Sequence, residues 1–399
     1  MAKLLQINVT ANWGSTGKIA DMCNQYASAR GWECYEIYGR YQNTSSFYQI
    51  KIGSKIGIYT HYLENILFDN EGLGSRYATR NLIKIIKEIA PDVIHLHNIH
   101  DHWLNYKILF NYLNQSGIPI VWTFHDFWAI TGHCSHFVFA DCDKFEYGCS
   151  RCPYLKGNFL PLIKQTKRNF NLKKNLFSAN KNLTIVSVSD WACDNVKRSF
   201  LNNKKICVIP NGVDTKIFSP VSSHFLAINK SAFVILAVSS QWKSGTKGLK
   251  DYLSLSKFLK PDELIVLVGV TDEIKQTLPS NILGITRTND QKELAALYTR
   301  ANVVCSLSSA ETFGLTIVEG YACGTPAVVY DNTALPSLIH PDTGIIVPNH
   351  DVVATYQAIQ VIKSRGKDFY KHACIKFANT FYSKDMCYNK YVDLYESLI

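Results

Sequence analysis

The sequence predicts an α/β protein made of two doubly wound parallel sheets. Nine short apolar runs, most of them rich in β-branched residues, recur along the 399 residues, and helix-length segments separate most of them. Alternating strands and helices are typical of parallel sheets that are covered on both faces. Because the chain also exceeds the usual size of one domain, we expect two Rossmann-like domains that face each other across a cleft.

Each predicted strand is an apolar run that suits a buried position in a parallel sheet. The runs cover residues 4–9, 93–96, 118–123, 184–188, 206–209, 233–238, 264–270, 303–307 and 327–329. The series restarts at residue 233, after a Pro-Asn-Gly turn at 210–212 and a polar stretch at 219–231. We therefore expect a first domain at 1–205 with a cysteine-containing insertion at about 132–155, a second domain at 206–380, and a C-terminal helix at 381–399 that could cross back to the first domain.

The composition is that of an ordinary folded protein, with 47% apolar and 19% charged residues. The net charge of +10 would suit nucleic acid, an anionic membrane or phosphorylated ligands. No run of eighteen apolar residues is present, and residues 5–9 alternate like a buried strand. We expect a cytoplasmic protein that takes phosphorylated ligands and no nucleic acid, and that could lie on the inner face of the cell membrane.

The strongest motif follows the predicted strand at 303–307 and opens a helix that ends near residues 324–326. Gly314 lets the backbone approach a ligand, and the N–H groups of a first helical turn suit a phosphate. Glu311, before the helix, can accept hydrogen bonds from sugar hydroxyls, and Glu319 can bind a ribose diol. The alternative is that Glu311 caps the helix and Glu319 is solvated.

Two further loops follow predicted strands. Lys247 lies after the strand at 233–238, where it could reach a diphosphate or remain a solvated charge. Residues 12–18 suggest a phosphate-binding P-loop, but Gly14 and Gly17 are too close together, and Ile19 stands where that motif needs Ser or Thr. Gly17 therefore belongs to a glycine loop that approaches a substrate, or to a tight turn.

Histidines cluster after two predicted strands, at positions 95, 97, 100, 102, 125, 133 and 136. His95 and His97 could lie on one face of a strand and bind a metal ion. His125 and Asp126 follow the strand at 118–123, where they could hydrogen-bond sugar hydroxyls. We favour sugar binding for His125 and packed positions for most of the other histidines.

Four cysteines follow, spaced Cys134-x7-Cys142-x6-Cys149-x2-Cys152. In a reducing compartment this cluster predicts either a structural zinc site or free thiols in a packed insertion. The Asp-Cys-Asp sequence at 141–143 is discounted as a catalytic metal site because it lies inside this insertion. Residues 156–181 read as a basic amphipathic segment that suits either an anionic lipid surface or an ordinary surface helix.

These motifs resemble those of the retaining glycosyltransferases of family 4, which have the two-domain GT-B fold. Glu311-x7-Glu319 with Phe313-Gly314-Leu315 is similar to the family's donor signature, and Lys247-Gly248 to its diphosphate-binding pair. Segments 91–98 and 123–134 are similar to a subgroup that makes bacterial capsular, exopolysaccharide or colanic-type polymers. The cysteine insertion recurs in that subgroup.

The resemblance implies transfer of a sugar from a nucleotide-sugar to a growing, lipid-linked or soluble oligosaccharide, with no cofactor required for catalysis. We favour a UDP-sugar as the donor, with a GDP-sugar as the alternative. The resemblance also implies that His125, Asp126 and Glu311 form the catalytic site. The expected donor-binding residues are Gly17, Gln241, Lys243, Lys247, Thr288, Phe313, Gly314, Leu315, Thr316 and Glu319. Gln241 departs from the family, where many members carry Arg that Lys243 could replace; Asp101 stands where relatives often have Gly.

Two other functions fit the same sequence features. A nucleotide-sugar epimerase of this architecture would convert the donor without an acceptor. A catalytically silent protein that binds sugar nucleotides or glycans would bind without turnover. A dehydrogenase is disfavoured, because no Gly-x-Gly-x-x-Gly motif follows any predicted strand.

Overall fold

The computed structural model of the chain describes residues 1–155, 160–221 and 228–399. The chain divides into two compact units. The first unit consists of Met1–Ile209 together with Tyr388–Ile399, and the second unit consists of Pro210–Cys387. Each unit contains one sheet.

The first unit is built on a seven-stranded parallel sheet. Its strands are β1 (Lys3–Ile7), β2 (Glu33–Tyr38), β3 (Tyr48–Lys51), β4 (Val93–Leu96), β5 (Ile120–Phe124), β6 (Leu183–Ser187) and β7 (Lys205–Val208). The strand order is β3-β2-β1-β4-β5-β6-β7, so the chain moves outward in opposite directions from β1 and from β4. Doubly wound sheets bind ligands at this point of reversal, beyond the carboxyl ends of the strands.

Helices cover both faces of this sheet. They are α1 (Gly14–Ala29), α2 (Lys55–Phe68), α3 (Arg76–Ile89), α4 (Tyr106–Ser116), α5 (Thr166–Ala179) and α6 (Asp190–Lys197), with short 3-10 helices at Trp128–Ile130, Phe137–Ala140 and Pro153–Leu155. Neighbouring strand residues point to opposite faces, so Leu5 and Ile94 enter one apolar cluster while Leu4 and Val93 enter the other. This double burial explains why the central strands are apolar throughout.

The last helix, α13 (Lys384–Glu396), carries the end of the chain into the first unit. Tyr391 and Tyr395 are buried beside Leu4 and Val93. At its surface, Asp393 forms an ion pair with Arg30 of α1, with 2.6 Å between Oδ1 and Nη1. Burial of aromatic side chains supplies most of the stabilisation of this contact, because exposed ion pairs contribute little.

The second unit contains a six-stranded parallel sheet of order β10-β9-β8-β11-β12-β13. Its strands are β8 (Phe233–Val238), β9 (Glu263–Val268), β10 (Ile282–Ile285), β11 (Val303–Ser306), β12 (Ala327–Tyr330) and β13 (Gly344–Val347). Its helices are α7 (Leu249–Leu255), α8 (Asp272–Gln276), α9 (Gln291–Arg300), α10 (Leu315–Ala322), α11 (Val352–Arg365) and α12 (Lys367–Tyr382), with 3-10 helices at Trp242–Ser244, Ser256–Phe258 and Leu335–Leu338. The direction of winding reverses between β8 and β11.

The predicted α/β class with two doubly wound parallel sheets is confirmed. The nine predicted apolar runs correspond to nine strands, while β2, β3, β10 and β13 were missed. β2 carries Glu33 and Glu36 among its apolar residues, and the other three strands have only four residues each. Within residues 1–155, 160–221 and 228–399, no helix has both the length and the apolarity needed to cross a bilayer.

Candidate functional site

In the second unit, the loops after β8 and β11 meet where the winding of the sheet reverses. A Cβ atom on Gly248 would lie 2.1 Å from the carbonyl oxygen of Leu307, so only glycine permits this approach. The Ser309 N–H donates to the Thr246 carbonyl at 2.8 Å. The two loops that carry the strongest sequence motifs are therefore joined by backbone contacts.

An ion pair between Lys247 and Glu311 spans these loops. Lys247 Nζ lies 2.6 Å from Glu311 Oε1, and the two side chains are 21% and 24% exposed. The backbone of Glu311 is held by the loop after β12, since its N–H donates to Thr333 Oγ1 at 3.0 Å and its carbonyl accepts from Ala334 N–H at 3.2 Å. Three loops thus fix a carboxylate and an ammonium group at a partly open surface.

Helix α10 begins directly beyond this pair. Its N-cap residue is Gly314, with a φ of 101°, and not Glu311. A Cβ atom at Gly314 would lie 2.9 Å from both Leu335 Cδ2 and Leu338 Cδ1, so glycine is needed for packing as well as for conformation. The first N–H groups of a helix lack intrahelical partners and carry partial positive charge, which makes this end of α10 suited to an anion.

The other expected donor residues of this unit lie around the same edge of the sheet. Phe313 is buried, and Leu315 and Thr316 are half-buried in the first turn of α10. Glu319 lies further along α10, where its Oε2 accepts from the hydroxyl of buried Tyr298 at 2.8 Å. This hydrogen bond fixes the orientation of the Glu319 carboxylate.

Three expected donor residues lie at the periphery of this edge. Gln241 and Lys243 are exposed in the loop after β8, and Lys243 Nζ lies 3.2 Å from Glu273 Oε2. Thr288 is half-buried in the loop after β10. The structure therefore brings Lys247 and Glu311 into contact and leaves these three on flanking loops.

Gly17 lies in the first unit, inside the first turn of α1. A Cβ atom there would lie 2.9 Å from Thr10 Oγ1 and 3.2 Å from the Asn12 nitrogen. The missing side chain thus lets α1 approach the loop that follows β1. Gly17 is thus a buried helix residue and lies in neither a loop nor a tight turn.

A second polar cluster lies in the first unit, after β4 and β5. His125 Nε2 is 3.0 Å from His97 Nδ1, and His97 Nε2 is 2.8 Å from Gln6 Oε1. Asp126 is bonded to His100, with 2.8 Å between Oδ2 and Nε2, and its other oxygen accepts from Trp128 N–H at 2.9 Å. The predicted pair His125 and Asp126 is therefore held by residues of two neighbouring strand ends.

The charges of this cluster follow from burial and from its neighbours. Burial opposes protonation of His100, but the Asp126 and Glu71 carboxylates outweigh it and raise the His100 pKa to about 10. Burial would raise the Asp126 pKa, yet the His100 charge holds it at about 2. Burial lowers the His125 pKa to about 4. At neutral pH, His125 is thus uncharged beside an imidazolium that is flanked by two carboxylates.

Deeper in the unit, His95 connects this region to the C-terminal helix. Its Nδ1 lies 2.7 Å from the Tyr395 hydroxyl, and its Nε2 lies 2.8 Å from Thr123 Oγ1. Thr123 Oγ1 is also 3.1 Å from the Tyr391 hydroxyl. Burial lowers the His95 pKa well below its usual range, so this histidine is a neutral packing residue.

Sequence reasoning missed several partners of this cluster. The position of His97 and His100 after a strand was the available signal for both residues. Glu71 and Arg40 gave no such signal: Glu71 lies in a turn, and Arg40, which pairs with Asp101, follows an unpredicted strand. Only the fold brings these charges together.

The four clustered cysteines line one small cavity. Burial raises the pKa of Cys134 to about 12 and that of Cys149 to about 11. Among the described residues, no three His, Cys, Asp or Glu side chains are arranged so that they could hold a metal ion. The four thiols share one cavity, as a zinc site requires, but they are not arranged as a set of metal ligands. Structural zinc therefore stays a prediction.

The basic segment predicted at 156–181 is described from residue 160 onward, and 156–159 lie outside the described residues. The apolar side of α5 faces the core, since Phe170 and Phe177 are buried there. Lys173 is also buried, with Nζ 2.7 Å from the Trp128 carbonyl oxygen and 3.4 Å from the centre of the Trp128 ring. The α5 part of this segment therefore follows the surface-helix interpretation, whereas Leu160 and Leu162 before it are exposed.

Comparison with known proteins identifies the class of this chain. Residues 19–217 match the family described as Glycosyltransferase Family 4, and residues 224–377 match the family described as Glycosyl transferases group 1. The chain is 21% identical, over 99% of its own length and 100% of the relative's, to a protein of Escherichia coli K12 whose name assigns it to colanic acid biosynthesis, the glycosyl transferase WcaC.

Solved structures with little sequence similarity share the fold. Sucrose-phosphate synthase from Thermosynechococcus elongatus is 16% identical with a TM-score of 0.76, covering 100% of this chain and 99% of its own. Anabaena HepE in complex with UDP and glucose is 14% identical with a TM-score of 0.67, covering 100% of both chains. The two family matches, the full-length relative and these folds together show that the chain is a glycosyltransferase enzyme of family 4, with the GT-B fold.

Proposed function

We propose that the enzyme transfers a hexose from a UDP-sugar to a hydroxyl of a growing, lipid-linked bacterial surface oligosaccharide, with retention of the anomeric configuration. The observation that carries this proposal is the Lys247–Glu311 pair at the point where the second sheet reverses. A cation for the diphosphate and a carboxylate for sugar hydroxyls stand together beside the start of α10.

The relatives support the choice of donor and acceptor. HepE was solved with UDP and glucose, and WcaC carries the name of a colanic acid biosynthesis enzyme. We therefore favour UDP over GDP and a capsular or exopolysaccharide product. Peripheral contact with the membrane that holds a lipid-linked acceptor belongs to the same proposal.

Each candidate residue has a defined part in the proposed reaction. The bond between the anomeric carbon and the diphosphate breaks, the acceptor oxygen bonds to that carbon on the same face, and the acceptor proton passes to a leaving phosphate oxygen. Lys247 and the N–H groups at Gly314 and Leu315 stabilise the charge that builds on the diphosphate. Glu311 accepts hydrogen bonds from the donor sugar, and Glu319 from the ribose.

The residues of the first unit have a complementary part. We assign His125 and Asp126 to hydroxyl groups of the donor sugar. A neutral His125 offers an uncharged hydrogen-bonding group to a sugar hydroxyl. The His100 imidazolium keeps Asp126 ionised, so Asp126 acts as an acceptor.

Thermal-shift titration with UDP, GDP and their sugars tests the donor, because a ligand stabilises the fold according to its concentration relative to its Kd. We expect a larger shift with UDP than with GDP. Incubation with an α-linked UDP-sugar and a lipid-linked acceptor should give an α-linked product by NMR. A β-linked product would exclude retention, and conversion of the donor without acceptor would indicate an epimerase.

A further inference from the structure

Helix α2 exposes apolar side chains on its outward face. The apolar residues of this face are Ile56, Tyr59, Leu63 and Leu67, which are 77%, 63%, 41% and 40% exposed. Their spacing of three and four residues places them in one stripe along the helix. A surface helix ordinarily turns such a stripe toward the core.

The opposite face of α2 attaches the helix to the first unit through mainly polar contacts. His61 is buried, with Nδ1 2.9 Å from Ser75 Oγ and Nε2 accepting from Gly74 N–H at 3.0 Å. One turn further along, Asn65 Nδ2 lies 3.1 Å from His102 Nε2. The orientation of α2 is thus fixed by hydrogen bonds, and the outward position of its apolar stripe is not a loose arrangement.

A second segment extends the same apolar surface. The N–H groups of Leu162 and Ile163 donate to the carbonyls of Ile66 and Leu67 at 2.9 and 3.0 Å. Leu162 and Ile163 are themselves 62% and 53% exposed. Exposed apolar side chains therefore continue from the end of α2 onto this neighbouring segment.

Positive charges lie at the rim of this surface. Residues 37–63, which supply the first half of α2 and the strand before it, contain no Asp or Glu and carry Arg40, Lys51 and Lys55, of which Arg40 pairs with Asp101. Lys51 and Lys55 line the same open pocket as Tyr59 and Tyr62. Glu64, the acidic residue of α2, is paired with Arg76 at 3.2 Å.

We propose that α2 and residues 160–163 form a docking surface for a bilayer that contains anionic phospholipid. The exposed apolar stripe would enter the boundary between headgroups and acyl chains, and the lysines at its rim would contact lipid phosphates. Tyrosine suits this position because its ring is apolar and its hydroxyl is polar. This inference rests on the peripheral membrane contact of the proposed function and names the surface that makes it, but it does not depend on the donor site.

Flotation with vesicles tests the surface directly. The intact chain should float with vesicles that contain both phosphatidylcholine and phosphatidylglycerol. With vesicles of phosphatidylcholine alone, it should remain in the dense bottom fraction. Lys51→Gln with Lys55→Gln should weaken partition by about 20- to 30-fold, which corresponds to about fivefold per lysine. Leu63→Ser with Leu67→Ser should weaken it at least as much.

Matched controls change similar residues elsewhere. Lys167→Gln with Lys174→Gln removes two exposed lysines of α5, and Ile346→Ser with Val353→Ser removes two exposed apolar side chains of the second unit. Both controls should partition within about twofold of the unaltered chain. If the α5 variant loses binding as strongly as the α2 variant, the assignment of the surface is wrong.

Oxidative footprinting of the unaltered chain provides a test that needs no variant. Anionic vesicles should protect Tyr59 and Tyr62 from oxidation and leave Phe369, which is 57% exposed in the second unit, reactive. Equal oxidation with and without vesicles would overturn the proposal. So would self-association that Leu63→Ser abolishes, since a second copy of the chain would then be the occupant.

Discussion

The candidate residues of the two units differ in how they are held. In the first unit, His100 and Asp126 are largely buried and stabilise each other's charges, which displaces both pKa values strongly. In the second unit, Lys247 and Glu311 form a partly exposed pair supported by backbone contacts and glycines. The first arrangement is a fixed electrostatic framework, while the second can exchange its internal ion pair for a ligand. We therefore expect substitutions in the second unit to affect turnover most and those in the first unit to affect stability and its pH dependence.

The largest expected effect is on turnover, from Glu311→Gln. The amide keeps the size of the side chain but loses the charged acceptor for sugar hydroxyls, so we expect kcat/KM to fall by about 10²–10³-fold. Steady-state transfer assays measure this. Glu88→Gln, at an exposed site on α3, should retain full activity. Activity of Glu311→Gln close to that of the unaltered enzyme would remove Glu311 from the site.

Lys247→Ala should lower kcat/KM by about 30- to 100-fold, because one cation is lost from the developing diphosphate charge. Lys247→Arg should recover part of this loss, since the charge remains. The matched control is Lys250→Ala, an exposed lysine three residues further along. An identical loss for both lysines would indicate a general effect of charge and not a phosphate contact.

Asp126→Asn tests the electrostatic framework of the first unit. Removing the partner of a largely buried imidazolium should lower the free energy of unfolding by about 2–3 kcal/mol at pH 6. The His100 pKa is raised in the folded chain, so the stabilisation from its charge is present below about pH 6.5 and is lost as the pH rises toward about 10. Because the pKa of Asp126 is lowered to about 2, the stabilisation from its charge is complete above about pH 4 and is lost only as the pH falls toward 2.

Urea unfolding at pH 6 and at pH 9.5 measures this difference. The difference in the free energy of unfolding between the unaltered chain and Asp126→Asn should be smaller at the higher pH. Asp368→Asn, at an exposed position in α12, should show no such change. A gap of equal size at both pH values would mean that the His100–Asp126 charges do not stabilise the fold.

The cysteine cavity lies apart from the contacts that hold the second unit's candidate residues. Substitutions of its cysteines should therefore change stability and not turnover. We expect about one zinc ion per purified chain, and less than about a tenth of that in Cys134→Ser with Cys149→Ser. The thermal midpoint of that variant should fall by several degrees. Cys207→Ser, outside the cluster, should keep its metal. Absence of zinc after reconstitution of the unaltered chain would leave the four residues as buried thiols.

The sequence located the candidate residues of the second unit more completely than those of the first unit. Lys247, Gly248, Glu311 and Gly314 each lie directly after a predicted strand or at the start of a predicted helix, so their positions follow from local order along the chain. His125 and Asp126 were found by the same rule. Asp126 bonds to His100, which also pairs with Glu71, and His125 bonds to His97, which also bonds to Gln6. These residues come from separate segments, and local patterns carry no information about such pairing.

The amino-acid sequence by itself determined the α/β class, nine of the strands and the residues at the strand ends, because burial on both faces requires continuous apolar runs. Only the tertiary structure decided the pairing of His100 with two carboxylates, the inward direction of α5 and the outward apolar stripe of α2. The physical reason is that amphipathic spacing defines the faces of a helix but not which face meets the core. That choice depends on the contacts of the whole fold.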